Sequence, residues 1–139
     1  MKRHIGAVSA IGLLITIGLA CGGGSFTTAN ISDLKFGLNN TAEPSSTTFK
    51  TGEDIYALAS VSNVPKGKYK LTWRITYEDV KGKAPGQEIG TNTREFEGSS
   101  RLWQTFSSPL PGEYKVEATL ARESGEEVDK KSGTVTITE

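Results

Sequence analysis

Histidine and cysteine are all but missing from this chain of 139 residues, which has only His4 and Cys21. Everything beyond Cys21 is therefore without an imidazole or a thiol. Those are the commonest general base, the commonest metal ligand and the most nucleophilic side chain. A lone cysteine forms no disulfide within its own chain, so the fold must rest on packing. Lys and Arg number 16 and Asp and Glu 16, with the two signs interspersed. That balance leaves no basic stripe for nucleic acid and no polybasic patch for anionic lipid. Beyond residue 21 no stretch has a helical period, and there is no Gly-x-Ser-x-Gly elbow or phosphate-cradling glycine loop. Together these absences point away from an enzyme.

The first twenty-one residues decide where the rest of the chain lives. Lys2 and Arg3 make a short positive start, and Ile5 to Ala20 is free of Asp, Glu, Lys and Arg. Ile11, Leu13, Leu14, Ile15, Ile17 and Leu19 form its apolar core, and small Ala20 precedes Cys21. A basic start, a short apolar run and a small residue at the break describe a secretory signal peptide. A spanning helix needs about 20 apolar residues, and polar, glycine-rich chain takes over at Gly22.

Ile17-Gly18-Leu19-Ala20-Cys21 resembles the lipobox of bacterial lipoproteins. Gly18 stands where that family more often has Leu. The resemblance implies cleavage before Cys21, a diacylglycerol on its thiol and acylation of its new amine. It implies, too, a cell-envelope location, in the outer membrane where a cell has two, because Gly22 rather than Asp follows the cysteine. More than one chain is needed for stable anchoring, each buried CH₂ contributing roughly 0.8 kcal/mol. A plain secretory signal with a free thiol and an uncleaved N-terminal anchor are the alternatives. Removing residues 1–20 leaves 119, enough for one domain with a core. It takes away Lys2 and Arg3, so 14 basic residues face 16 acidic ones and the net charge is near −2. Residues 21–30 then read as the lipidated Cys21 and a flexible Gly/Ser tether, which would span only about 15–18 Å root-mean-square.

From Ile31 onwards the apolar pattern has period two, the signature of half-buried strands. Leu34, Phe36 and Leu38 share one face of a first strand, and Asn39–Thr48 reads as a loop around Pro44. Ile55, Ala57, Ala59 and Val61 share a face of the next. Tyr69, Leu71, Trp73, Ile75 and Tyr77 give the clearest strand, with Lys70, Thr72, Arg74 and Thr76 opposite. Two weaker strands are expected around Gln87–Thr91 and Arg94–Glu97. Others are expected over Leu102–Phe106, Tyr114–Leu120 and Gly133–Thr138. Seven or eight short strands separated by turns predict an all-β, antiparallel β-sandwich over residues 31–139. Trp73 is central in its strand, and Pro111-Gly112-Glu113-Tyr114-Lys115-Val116 looks like a tyrosine corner. On these residues the chain resembles bacterial immunoglobulin-like and fibronectin-III-like domains. The resemblance implies that Trp73, Tyr114 and Val116 are structural core, with Ala59 or Val61 opposite Val116.

Each constellation with catalytic potential has a plainer explanation. Ser132 beside Lys131 reads as an edge-strand polar residue. The pairs Glu126 with Glu127, and Glu95 with Glu97, read as solvated surface rather than a glycosidase pair. Asn39, Asn40, Glu43, Glu53 and Asp54 offer oxygen atoms around one loop, but without the spacing of a calcium loop. No metal or cofactor is expected. For a ligand contact the candidates are Trp103 and Tyr56. If Leu102, Gln104 and Phe106 face inwards, Trp103 faces out beside Thr105. The opposite register buries Trp103 and exposes Leu102 and Phe106. Tyr56 is expected near Arg74 or Arg94.

The resulting expectation is a non-enzymatic, membrane-anchored envelope lipoprotein. It would be held to the bilayer through acylated Cys21 and bind an envelope protein or serve as a structural module. One alternative is a carbohydrate- or cell-wall-binding module using Trp103 and Tyr56. Another is a protease inhibitor presenting the loop Asp79–Glu88.

Overall fold

In the computed structural model, which describes residues 27–139, the period-two pattern becomes eight strands. They are β1 (Asn30–Gly37), β2 (Thr48–Lys50), β3 (Ile55–Ser62), β4 (Lys68–Asp79), β5 (Glu88–Glu97), β6 (Ser100–Phe106), β7 (Gly112–Arg122) and β8 (Glu127–Thr138). One sheet has the order β1-β3-β6 and the other β2-β8-β7-β4-β5. Residues 1–26, with the leader, Cys21 and the start of the tether, lie outside the described residues.

The sheets face each other as an all-β sandwich because each presents one apolar stripe. Ile55, Ala57, Ala59 and Val61 of β3 are buried against Leu71, Trp73 and Ile75 of β4 and Tyr114, Val116, Ala118 and Leu120 of β7. Val135 and Ile137 extend the core along β8. Trp73 has no exposed surface and stands opposite Ala118 in the β4–β7 ladder, where a small neighbour leaves space for the indole. Each fully buried large side chain contributes about 1.5–3 kcal/mol.

Tyr114 closes a ring of hydrogen bonds behind this core. Its hydroxyl donates to the Leu110 carbonyl at 2.7 Å, and the Leu110 N–H donates to Ser108 Oγ at 3.2 Å. With those protons placed, the Ser108 hydroxyl must donate to Tyr114, also at 2.7 Å. The ring fixes the bend that carries the chain from one sheet to the other. Gly112 follows at φ 142°, and a Cβ there would lie 2.4 Å from the Asp79 carbonyl oxygen.

Several expectations are corrected. The stretch read as two weak strands is one, β5; it is an edge strand exposed along most of its length, which blurs its alternation. Phe49 and its neighbours form the short β2 inside a stretch without strand pattern, and β2 pairs with β8 in parallel, so the sandwich is not wholly antiparallel. The last strand starts at Glu127, where the ladder to β7 carries charged residues past the core. Leu38 lies beyond β1 and is 56% exposed rather than on its inner stripe. The end of the supposed tether is already attached to the body. Thr28 donates to the Asn63 carbonyl at 3.1 Å, Ala29 is buried and β1 starts at Asn30.

The two seams between the sheets differ. At the β1/β8 seam the Asp129 carboxylate accepts the Ile31 N–H at 2.8 Å, and Lys131 donates to the Ser32 carbonyl at 3.4 Å. The Phe36 ring lies on Gly133, where a Cβ would come within 2.8 Å of it. This seam is closed. At the β5/β6 seam Asn92 donates its amide to Gln104, and the Arg94 guanidinium lies 5.7 Å from the Trp103 ring centroid. Between these strands runs a groove of about 260 Å³ lined by Trp73, Ile75, Ile89 and Phe106.

Candidate binding surface

The β3–β6 register places the two candidate contact residues. Tyr56 stands opposite Thr105, and Leu58 opposite Trp103. Directly opposite residues share a face, and diagonal neighbours on it are about 7–8 Å apart. Tyr56 and Trp103 therefore meet on the outer face of the three-stranded sheet, both half-buried. Leu102 and Phe106 point inwards and pack on the core. Gln104 points the same way without cost to the core, because β6 is an edge and its amide bonds to Asn92 and to the Thr105 carbonyl.

Leu58 completes this face. It lies on the outward side of β3 yet is 1% exposed, flanked by Lys35 of β1 and Trp103 of β6 in the register. The stem of a lysine can cover apolar surface while its ammonium stays in water. That ammonium binds Glu43 from the β1–β2 loop. The bond to Lys35, and then the charge of Lys35, hold the Glu43 carboxyl below the usual carboxylate range, and Arg101 adds a weaker pull. Ser60 stands opposite Arg101 and Asp33. The surface thus combines two rings, a buried apolar floor, hydroxyls and arginine.

Arg74 does not approach Tyr56. It lies on the outer face of the other sheet, opposite Thr91 and Glu117, and pairs with Glu88 at 3.9 Å. Arg94 reaches Trp103 rather than Tyr56. Trp73, Tyr114 and Val116 are fully buried between the sheets and take no part in the surface. Sequence reasoning passed over Leu58 and Arg101, and it set Arg94 beside Tyr56 rather than Trp103. An apolar residue out of phase in the run Ile55–Val61 was the available signal for Leu58.

The remaining candidates are dispersed. Ser132 faces outwards opposite Glu117, while Lys131 reaches Ser32 across the seam. Glu126 pairs with Arg122 at 3.5 Å and Glu127 with Lys130 at 3.7 Å. Glu95 lies 4.0 Å from Lys70. In the loop weighed for calcium, Asn39 binds Thr41 and the Glu43 backbone, and Glu53 accepts the Lys50 N–H. Among the described residues no group of three His, Cys, Asp or Glu is placed to hold a metal. The loop 80–87 is tied internally, with Lys83 N–H on the Val80 carbonyl and Gln87 N–H on that of Ala84.

No protein-family model matches the chain, and no curated protein matches its sequence.

Proposed function

We propose that the protein is a non-enzymatic, membrane-anchored lipoprotein of the cell envelope. Its sandwich holds a contact surface near the bilayer for an envelope protein. The anchor is acylated Cys21, and tethering raises the effective concentration of the surface for nearby partners. The observation that carries the contact role is the convergence of Tyr56, Leu58 and Trp103 on one outward face. The immunoglobulin-like reading draws support from the β1-β3-β6 grouping and the Tyr114–Leu110 bond.

Labelling cells with radioactive palmitate tests the anchor. Wild type should incorporate label and sediment with membranes, and Cys21→Ala should do neither. Equal labelling of the two would refute it.

A second reading, carbohydrate binding, is favoured by the two rings sharing a face with the hydroxyls of Ser60 and Thr105. Aromatic side chains with an apolar body and a polar edge suit such mixed surfaces.

A further inference from the structure

We infer that the outer face of the β1-β3-β6 sheet binds a carboxylate-bearing polysaccharide, with Trp103 and Tyr56 beneath the sugar rings and Arg101 and Arg94 on its acid groups. This rests on the second of the two readings above and adds the charge of the ligand.

The arginines carry the inference. Four lie among the described residues, and two of them are committed: Arg74 is 3.9 Å from Glu88 and Arg122 is 3.5 Å from Glu126. Arg94 and Arg101 have no carboxylate within 4.0 Å among the described residues, and both are exposed. They are the two beside Trp103: Arg94 lies over its ring, and Arg101 shares its face of β6 two residues away. Glu43, on which Arg101 exerts a weaker pull, is already bound by Lys35. Two uncommitted guanidinium groups around one indole, on a chain whose mature net charge is near −2, form a local site for anions. A planar guanidinium holds a carboxylate through two parallel hydrogen bonds.

The seam decides against a peptide strand. An extended segment adding to the free edge of β6 would have to displace the Asn92–Gln104 bond. A ligand lying on the pleated face leaves the Asn92–Gln104 bond in place. That face offers what a sugar chain uses: two rings on a diagonal, the hydroxyls of Ser60 and Thr105, and guanidinium groups at one side.

The test is binding of the full chain to polygalacturonate by affinity electrophoresis, with neutral dextran and poly-L-glutamate as comparisons. Polygalacturonate should retard wild type and dextran should not. Arg101→Gln should weaken the interaction by about tenfold, equivalent to about 1.4 kcal/mol, and added salt should weaken wild type in the same way. Trp103→Ala should abolish retardation, while Trp103→Phe, which keeps a ring and guards against a folding defect, should retain part of it. Equal retardation of wild type and Arg101→Gln would overturn the proposal. So would equal binding of polygalacturonate and dextran, or tighter binding of poly-L-glutamate, which would assign the face to acidic peptide. Sedimentation with membranes is read separately in the same preparations. Wild type that sediments through Cys21 but ignores polygalacturonate would sink this inference and leave the anchored module standing.

Discussion

Leu58 and Trp103 face each other across the β3–β6 ladder on the outside of the sandwich, and Leu58 is 1% exposed there. A leucine buried on an outer face needs a cover, and the indole beside it is the largest group in reach. The Arg94 guanidinium lies 5.7 Å from the centroid of the same ring. One aromatic thus closes a small satellite of apolar packing and offers a contact.

Trp103→Ala should uncover Leu58 and cost about 1–3 kcal/mol of stability through lost apolar burial. The core should persist, because Trp103 lies outside it. Urea unfolding followed by circular dichroism reads both quantities. An unchanged midpoint would mean that Leu58 is covered by Lys35 alone.

Tyr114→Phe removes one hydroxyl from a ring of three hydrogen bonds and leaves the Leu110 carbonyl and Ser108 hydroxyl short of a partner. An unsatisfied buried group costs about 1–3 kcal/mol. The loss should appear in the unfolding midpoint without a change in the slope. Ser108→Ala combined with Tyr114→Phe should cost less than the sum of the two, as expected for partners in one network.

Gly112→Ala should be among the most damaging small changes. The residue sits at φ 142°, and the new methyl would meet the Asp79 carbonyl oxygen at 2.4 Å and a Val80 methyl at 2.8 Å. Backbone strain of this kind costs about 1–3 kcal/mol before the clash is counted. Soluble yield and melting temperature of Gly112→Ala against Gly125→Ala give the comparison, since at Gly125 a Cβ meets nothing within 4 Å. Equal effects at both sites would refute the role of the close approach.

The Lys35–Glu43 pair should make stability depend on pH in one direction. Its bond to Lys35 holds the Glu43 carboxyl below its ordinary value, so the unfolded chain takes up this proton first as the pH falls. The contribution is present above the ordinary carboxylate range and is lost as the pH drops through the lowered value. Wild type and Glu43→Gln should therefore differ at neutral pH and converge in acid. The difference should be small and salt-sensitive, because Glu43 is exposed. A gap that widens in acid would contradict the assignment.

The strands with a clean apolar stripe and the tyrosine turn were legible from residue order alone. Period two with one buried face fixes which residues of β3, β4 and β7 point inwards, whatever they pack against. β2 was not legible and β5 was read only as two fragments, for a shared reason. Edge strands bury little, so their sequence is free to be polar, and only the neighbouring strand's hydrogen bonds make them strands. The register around Trp103 stayed open because Gln104 inwards or Leu102 outwards each violate a local rule. Only the position of β6 at an edge, with Asn92 across the seam, relieves the first violation.

Local order thus determined the fold class and the inward stripe of most strands. Which outward residues become neighbours was decided by tertiary structure. Tyr56 and Trp103 are far apart along the chain and adjacent only in the ladder, and Arg94 reaches Trp103 from the opposite sheet. Strand pairing is a relation between distant segments, and no periodicity within one segment encodes its partner.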